Sequence, residues 1–191
     1  MRKVTLIFGL LSGAIISILM VIGIMLGENG LISFDFSELV GYGSMVIALS
    51  MIFFGIKSYR DNYQQGAIRF WKGFQVGILI ALIASLMYGL TWEAYLLTRP
   101  AGSVPFIDKY SDFVINKMKE KGASSDKIDQ KIKEMDRVKI MYQNPVMRFG
   151  MTIMEILPVG ILITLISAAL LRKKELLPAH HLERDIPRLE T

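Results

Sequence analysis

The stretch FQVGILIALIASLMYGLTWEAYLL, Phe74–Leu97, decides the fold. It runs for 24 residues and carries one charge, Glu93. A helix rises about 1.5 Å per residue and bilayer hydrocarbon is about 30 Å thick, so roughly 20 apolar residues cross it. In hydrocarbon a crossing segment must satisfy its own backbone polar groups, which makes a helix the default. Within this stretch Gly77, Ala81, Ser85 and Gly89 recur every four residues. Such a row lets another helix backbone approach closely.

Three more stretches read the same way. Val4–Leu26 has 23 residues and no charge, Leu39–Ile56 has 18, and Phe149–Leu171 has 23 with Glu155 as its single charge. The first carries the small-residue row Gly9, Gly13, Ser17, and the last carries Gly160, Thr164, Ala168. The fold class is therefore all-α: an integral membrane protein of four transmembrane helices. Arg2 and Lys3 before the first span could open a signal peptide. Its apolar run exceeds the usual length of about 7–15 residues, and no small-residue cleavage site follows it, so an uncleaved anchor is expected.

Lys and Arg in the flanks set the threading. Arg2 and Lys3 precede the first span, Lys57, Arg60, Arg69 and Lys72 lie between the second and third, and Arg172, Lys173 and Lys174 follow the fourth. The loop after the first span has no Lys or Arg but holds Glu28, Asp35 and Glu38. Both termini and the middle loop are expected in the cytoplasm, with residues 98–148 outside. That insertion reads as a helical hairpin. Phe106, Tyr110, Phe113, Val114 and Met118 recur at helical spacing up to Gly122, and Ile128, Ile132, Met135, Val138 and Tyr142 do so up to Asn144-Pro145. Its apolar faces pack on each other and on the bundle, or they meet a partner or the lipid surface. Residues 1–174 are read as a single four-helix domain and 175–191 as a short flexible tail. His180-His181 in that tail could bind metal only adventitiously.

Charged groups inside spans are costly and often functional. Glu93 lies four residues from the end of its span, and Glu155 lies roughly 9 Å inside the start of its own. Arg99 and Arg148 lie at the same level. These four residues form the candidate intramembrane polar site, either a cation or proton site or an interfacial cluster in which Glu155 pairs with Arg148 or a hairpin lysine. Pro158, three residues after Glu155, frees backbone carbonyls and kinks or widens the helix there.

Other chemistry has little to stand on. Cysteine is absent and histidine occurs only in the tail, which leaves no thiolate chemistry and no core histidine. No phosphate-binding glycine loop, H-E-x-x-H or G-x-S-x-G is present. No enzymatic activity, cofactor or nucleic-acid partner is expected. The lipid bilayer is the expected environment, with a second copy or an envelope protein as partner. The formal net charge of +5 is itself a threading signal: the four spans sum to −2, the inner flanks to +6 and the outer loops to +1.

The stretch FFGIKSYRDNYQQGAIRFWKGFQVGILIALIASLMYGLTWEAYL, Phe53–Leu96, resembles the central signature of a bacterial membrane family catalogued as domain of unknown function 4199. NPVMRFGMTIMEILPVGILITLISAALLRKK, Asn144–Lys174, resembles its closing helix. The matching positions are Phe54, Gly55, Ile56, Tyr59, Arg60, Phe74, Gly77, Tyr88, Glu93, Asn144, Pro145, Arg148, Glu155, Pro158 and Gly160. The resemblance implies a bacterial inner-membrane protein of four helices with an insertion between the third and fourth, and it implies no activity. The expected role is a non-enzymatic structural or interaction protein. The alternative is a small ion- or proton-conducting or transport protein using Glu93 and Glu155, and a third class is an accessory subunit of a larger envelope complex.

Overall fold

A computed structural model describes residues 1–31, 34–98 and 105–172. Arg99 and the tail with His180-His181 lie outside the described residues. Those described form seven helices and no strand: α1 Arg2–Glu28, α2 Phe34–Leu49, α3 Met51–Tyr63, α4 Phe70–Leu97, α5 Pro105–Glu120, α6 Ser125–Gln143 and α7 Pro145–Leu171. Four stretches are long and apolar enough to cross a bilayer: Arg2–Gly27, Phe36–Tyr63, Phe70–Leu97 and Pro145–Leu171. They cover the four expected spans, and each extends further at one or both ends. The second differs most. Its expected end is Ile56, yet the helix runs on to Tyr63. Lys57 and Asp61 face each other across one turn at 2.8 Å, an i,i+4 pair that holds the extra turns together.

One residue, Ser50, separates α2 from α3. At this break the buried Ser12 hydroxyl of α1 donates to the Ala48 carbonyl at 2.8 Å. A side chain from a neighbouring helix thus serves a backbone acceptor where the intrahelical ladder is interrupted. Ser12→Ala removes that donor. It is expected to lower stability by about 0.6 kcal/mol, the typical value for an interhelical hydrogen bond in a membrane. Thermal unfolding in a fixed detergent reads the loss; an unchanged midpoint would show that the break does not need it.

α4 is the centre of the bundle because it has two useful faces. On one face Ile83 and Met87 cover Gly9 and Gly13 of α1, and Thr91 donates to Ser17 at 2.8 Å. The contacts advance by four on both helices, so α1 and α4 run parallel. On the opposite face Gly73, Gly77, Ala81 and Gly89 meet Ala168, Thr164, Gly160 and Phe149 of α7. Here the numbers run in opposite senses, so α4 and α7 are antiparallel. Both sets of small-residue rows pack inside one chain. α3 closes the bundle through Gly55, which lies between Phe8 of α1 and Ile80 of α4.

The insertion is a helical hairpin turning at Gly122, whose φ of 69° is a left-handed conformation that suits glycine after a helix end. Ile107, Ser111 and Met135 are buried within it, and Lys139 bonds to Asp108 across it at 3.0 Å. The Tyr110 hydroxyl donates to Glu38 of α2 at 3.4 Å, seating the hairpin on the bundle. Burial, helped by the Glu38 charge, raises the Tyr110 phenol above its ordinary pKa. Asn144-Pro145 ends α6 as expected, and it also starts α7. The Asn144 side-chain oxygen accepts from the amides of Val146 at 2.9 Å and Met147 at 3.3 Å, with Pro145 at the first helical position.

Candidate functional site

At the hairpin end of the bundle the last turns of α4 meet the first turns of α7. Glu93 sits near the C-terminus of α4, and Arg148 is the fourth residue of α7. Each charge lies at the end of its helix where the macrodipole disfavours it. They compensate each other instead. The Arg148 guanidinium holds both Glu93 oxygens in a bidentate pair, with Nε at 2.8 Å from Oε1 and the other arm on Oε2. The planar fork of arginine matches the carboxylate, which a lysine could not reproduce. The third donor, Nη1, reaches the Tyr142 carbonyl at 2.8 Å, in the last turn of α6. One side chain therefore binds α4, α6 and α7 together.

The two side chains are mostly enclosed, at 13% exposure for Arg148 and 22% for Glu93. The Tyr142 phenol beside them is pushed up to about 12, by burial first and then by the Glu155 carboxylate, while Arg148 acts the other way. It is therefore neutral and can donate throughout the ordinary pH range.

Glu155 behaves differently. It lies seven residues after Arg148, hence on the same side of α7 and about 10 Å further along the axis. It is exposed on the bundle surface and accepts no hydrogen bond among the described residues. Arg148 is already committed to Glu93, so the two expected carboxylates are not equivalent. One is locked by an arginine and the other faces outward. Pro158 stands inside α7, and the helix continues through it to Leu171. Among the described residues no group of three His, Cys, Asp or Glu side chains gathers as a metal cage.

A second polar cluster sits at the opposite end. Arg60 is completely enclosed and its Nε donates to Asp61 at 2.7 Å, while Lys57 reaches the other Asp61 oxygen at 2.8 Å. Reading the sequence as flank charges hides this cluster. The signal that could find it is the Lys57–Asp61 spacing of four, which presupposes that the helix continues past Ile56. That end carries Arg2, Lys3, Lys57, Arg60, Arg69, Lys72 and Arg172 against the single acid Asp61 among the described residues. Aromatic rings gather at both ends: Tyr59 stacks on Tyr63 and Phe70 meets Trp71 at the basic end, and Trp92 stacks on Tyr95 at the other. Amphipathic rings favour the headgroup level.

Residues 7–173 match the model of a family described as a protein of unknown function (DUF4199). No curated protein and no solved structure matches the chain.

Proposed function

The chain belongs to this family, and we propose on that premise that it is a non-enzymatic structural or interaction protein of the bacterial inner membrane. The basic end faces the cytoplasm with both termini, and the hairpin projects on the far side. The lopsided charge supports that orientation, because Lys and Arg near span ends are retained inside. The observation that carries the role is the Arg148 clamp. It takes the carboxylate of Glu93 out of any relay, and its remaining donor, Nη1, ties the last turn of α6 to the bundle. A rigidly seated hairpin is the arrangement a binding element needs, since ordering costs at binding are already met. Its outward surface is charged, with Lys127, Asp129 and Lys133 exposed.

Photocrosslinkers placed at Lys127, Lys133 and Asp129 in living cells test this reading. The expected result is a single protein partner captured from the hairpin positions and lost when the crosslinker is moved to Arg2. Capture of no defined protein from any of the three would overturn it. A cysteine introduced at Lys127 should react with a membrane-impermeant maleimide added from outside the cytoplasmic membrane, and one at Arg69 should not; the reverse pattern would sink the orientation. A second reading, ion or proton conduction, is favoured only by the unpartnered Glu155. It predicts conductance in vesicles that Glu93→Gln with Glu155→Gln abolishes.

A further inference from the structure

The elbow joining α3 to α4 has a charge balance that the bundle leaves open. Asp61 is shared by Lys57 and Arg60, so its charge is already neutralised. Arg69 and Lys72 have no acidic partner among the described residues. Arg69 is the residue that caps the start of α4 and Lys72 lies in its first turn, so both stand at the mouth of the elbow. With Gln64, Ala67 and Ile68 they line an open cavity of about 530 Å³.

The wall of that cavity is held by backbone. The amides of Gln64 and Gly66 both donate to the Arg60 carbonyl at 3.1 Å, and the Ala67 amide donates to the Gln64 carbonyl at 3.0 Å. Gln65 and Gly66 both take left-handed conformations, with φ of 50° and 78°. A non-glycine residue in that region is uncommon, and here it closes a short turn between two membrane helices. The two cations are thus presented by a fixed turn rather than by a free loop. Trp71 stands next to them, 70% exposed, at the height where indole rings meet lipid headgroups.

We infer that this elbow cavity holds the phosphate of an anionic phospholipid headgroup. Arg69 and Lys72 supply charge-assisted donors to the phosphate oxygens, and the Gln64 side-chain Nε2, which gives one hydrogen to the Tyr63 carbonyl at 2.9 Å, has a second to offer beside them. Basic pockets between membrane helices on the cytoplasmic side take such headgroups. Free phosphate would offer the same oxygens, but it lacks the acyl chains that Trp71 and the neighbouring apolar helix surface meet. Two cations at the headgroup level correspond to a preference of about thirtyfold for an anionic over a zwitterionic lipid. The inference does not depend on the role of the hairpin.

Quenching of Trp71 fluorescence by brominated lipids tests it in the full chain reconstituted in vesicles. The chain has two tryptophans, so Trp92→Phe leaves Trp71 as the sole reporter. Brominated phosphatidylglycerol is expected to bind near Trp71 about thirtyfold more tightly than brominated phosphatidylcholine. Arg69→Gln with Lys72→Gln should bring the two lipids to near parity. Arg2→Gln with Lys3→Gln, which removes the same charge from the same end, should leave the preference intact. Millimolar inorganic phosphate should not displace the lipid. Parity in the unaltered pocket, an equal loss in the Arg2/Lys3 variant, or displacement by phosphate would each overturn the assignment. If the double pocket variant does not fold, Lys72→Gln alone decides: a fall of about fivefold supports the site and no fall refutes it.

Discussion

Arg148→Gln is expected to lower the stability of the bundle by about 3 kcal/mol, because it leaves Glu93 enclosed with no opposite charge. The loss exceeds the worth of a surface ion pair, which is about 0–1 kcal/mol. The difference is the cost of the orphaned carboxylate. Glu93→Gln strands the guanidinium in the same way, although that side chain keeps its bond to the Tyr142 carbonyl, so the effect should be smaller. Replacing both partners with leucine removes the charges together and should recover most of the loss. A thermodynamic cycle on the two positions, measured by reversible unfolding in mixed micelles, should give a coupling of about 1–3 kcal/mol. Additive single effects would show that the pair carries no mutual stabilisation. Hydrogen exchange adds a second readout. Arg148→Gln should speed exchange in the last turns of α6, which Glu93→Gln leaves anchored.

The same clamp separates the two carboxylates that the sequence presents as a pair. Glu155→Gln removes a charge from an exposed position that has no hydrogen-bond partner to lose among the described residues. Its expected effect is neutral or slightly stabilising. Glu93→Gln is thus expected to cost stability and Glu155→Gln to cost none, although both are single charges in otherwise apolar spans.

Which parts of this were legible in the sequence follows from the range of the interactions involved. Span existence rests on local composition, so the four membrane helices and the two hairpin helices could be read directly. The end of the second span rests on the Lys57–Asp61 pair, in which a charge belongs to the helix rather than to the flank, so the helix runs past Ile56 to Tyr63. The rows of small residues were legible as contact surfaces. Their partners were not, because a row of glycines is equally suited to a neighbour in the same chain and to a second copy. Only the register of α4 against α1 and α7 assigns them. The Arg148 clamp was half legible: depth along the helix brings Glu93, Arg99 and Arg148 to the same end of the spans, with Glu155 about two turns deeper. Which acid meets Arg148 depends on the rotation of α4 about its axis, which spacing along the chain does not encode. The Tyr142 carbonyl that completes the clamp is backbone and leaves no mark in the sequence.

Gly77→Leu is the second large effect, and it follows from that register. A Cβ at Gly77 would lie 2.6 Å from Thr164 Cγ2 and 3.0 Å from Ile56 Cδ1, so the added side chain meets α7 and α3 at once. Thr164 cannot yield by turning a flexible tip, since it is β-branched and fully buried, and the Ile56 tip, although free to turn about its outer bond, is fully buried too. Forcing them apart should cost about 3 kcal/mol, at the upper end of overpacking penalties. Gly43→Leu, the same substitution where a Cβ meets nothing within 4 Å, should be tolerated. The contrast distinguishes loss of close packing from a general preference for glycine. Thr164 offers a route to rescue. Its buried hydroxyl has no hydrogen-bond partner, so Thr164→Ala gives up methyl packing but no bond. In the Gly77→Leu background that vacated space should return about 1 kcal/mol or more, a coupling that exists only if the two residues touch. Equal sensitivity at Gly77 and Gly43, or no rescue by Thr164→Ala, would mean that α4 and α7 do not meet in this register. The position of Arg148 against Glu93, set by the same antiparallel contact, would then have to be given up with it.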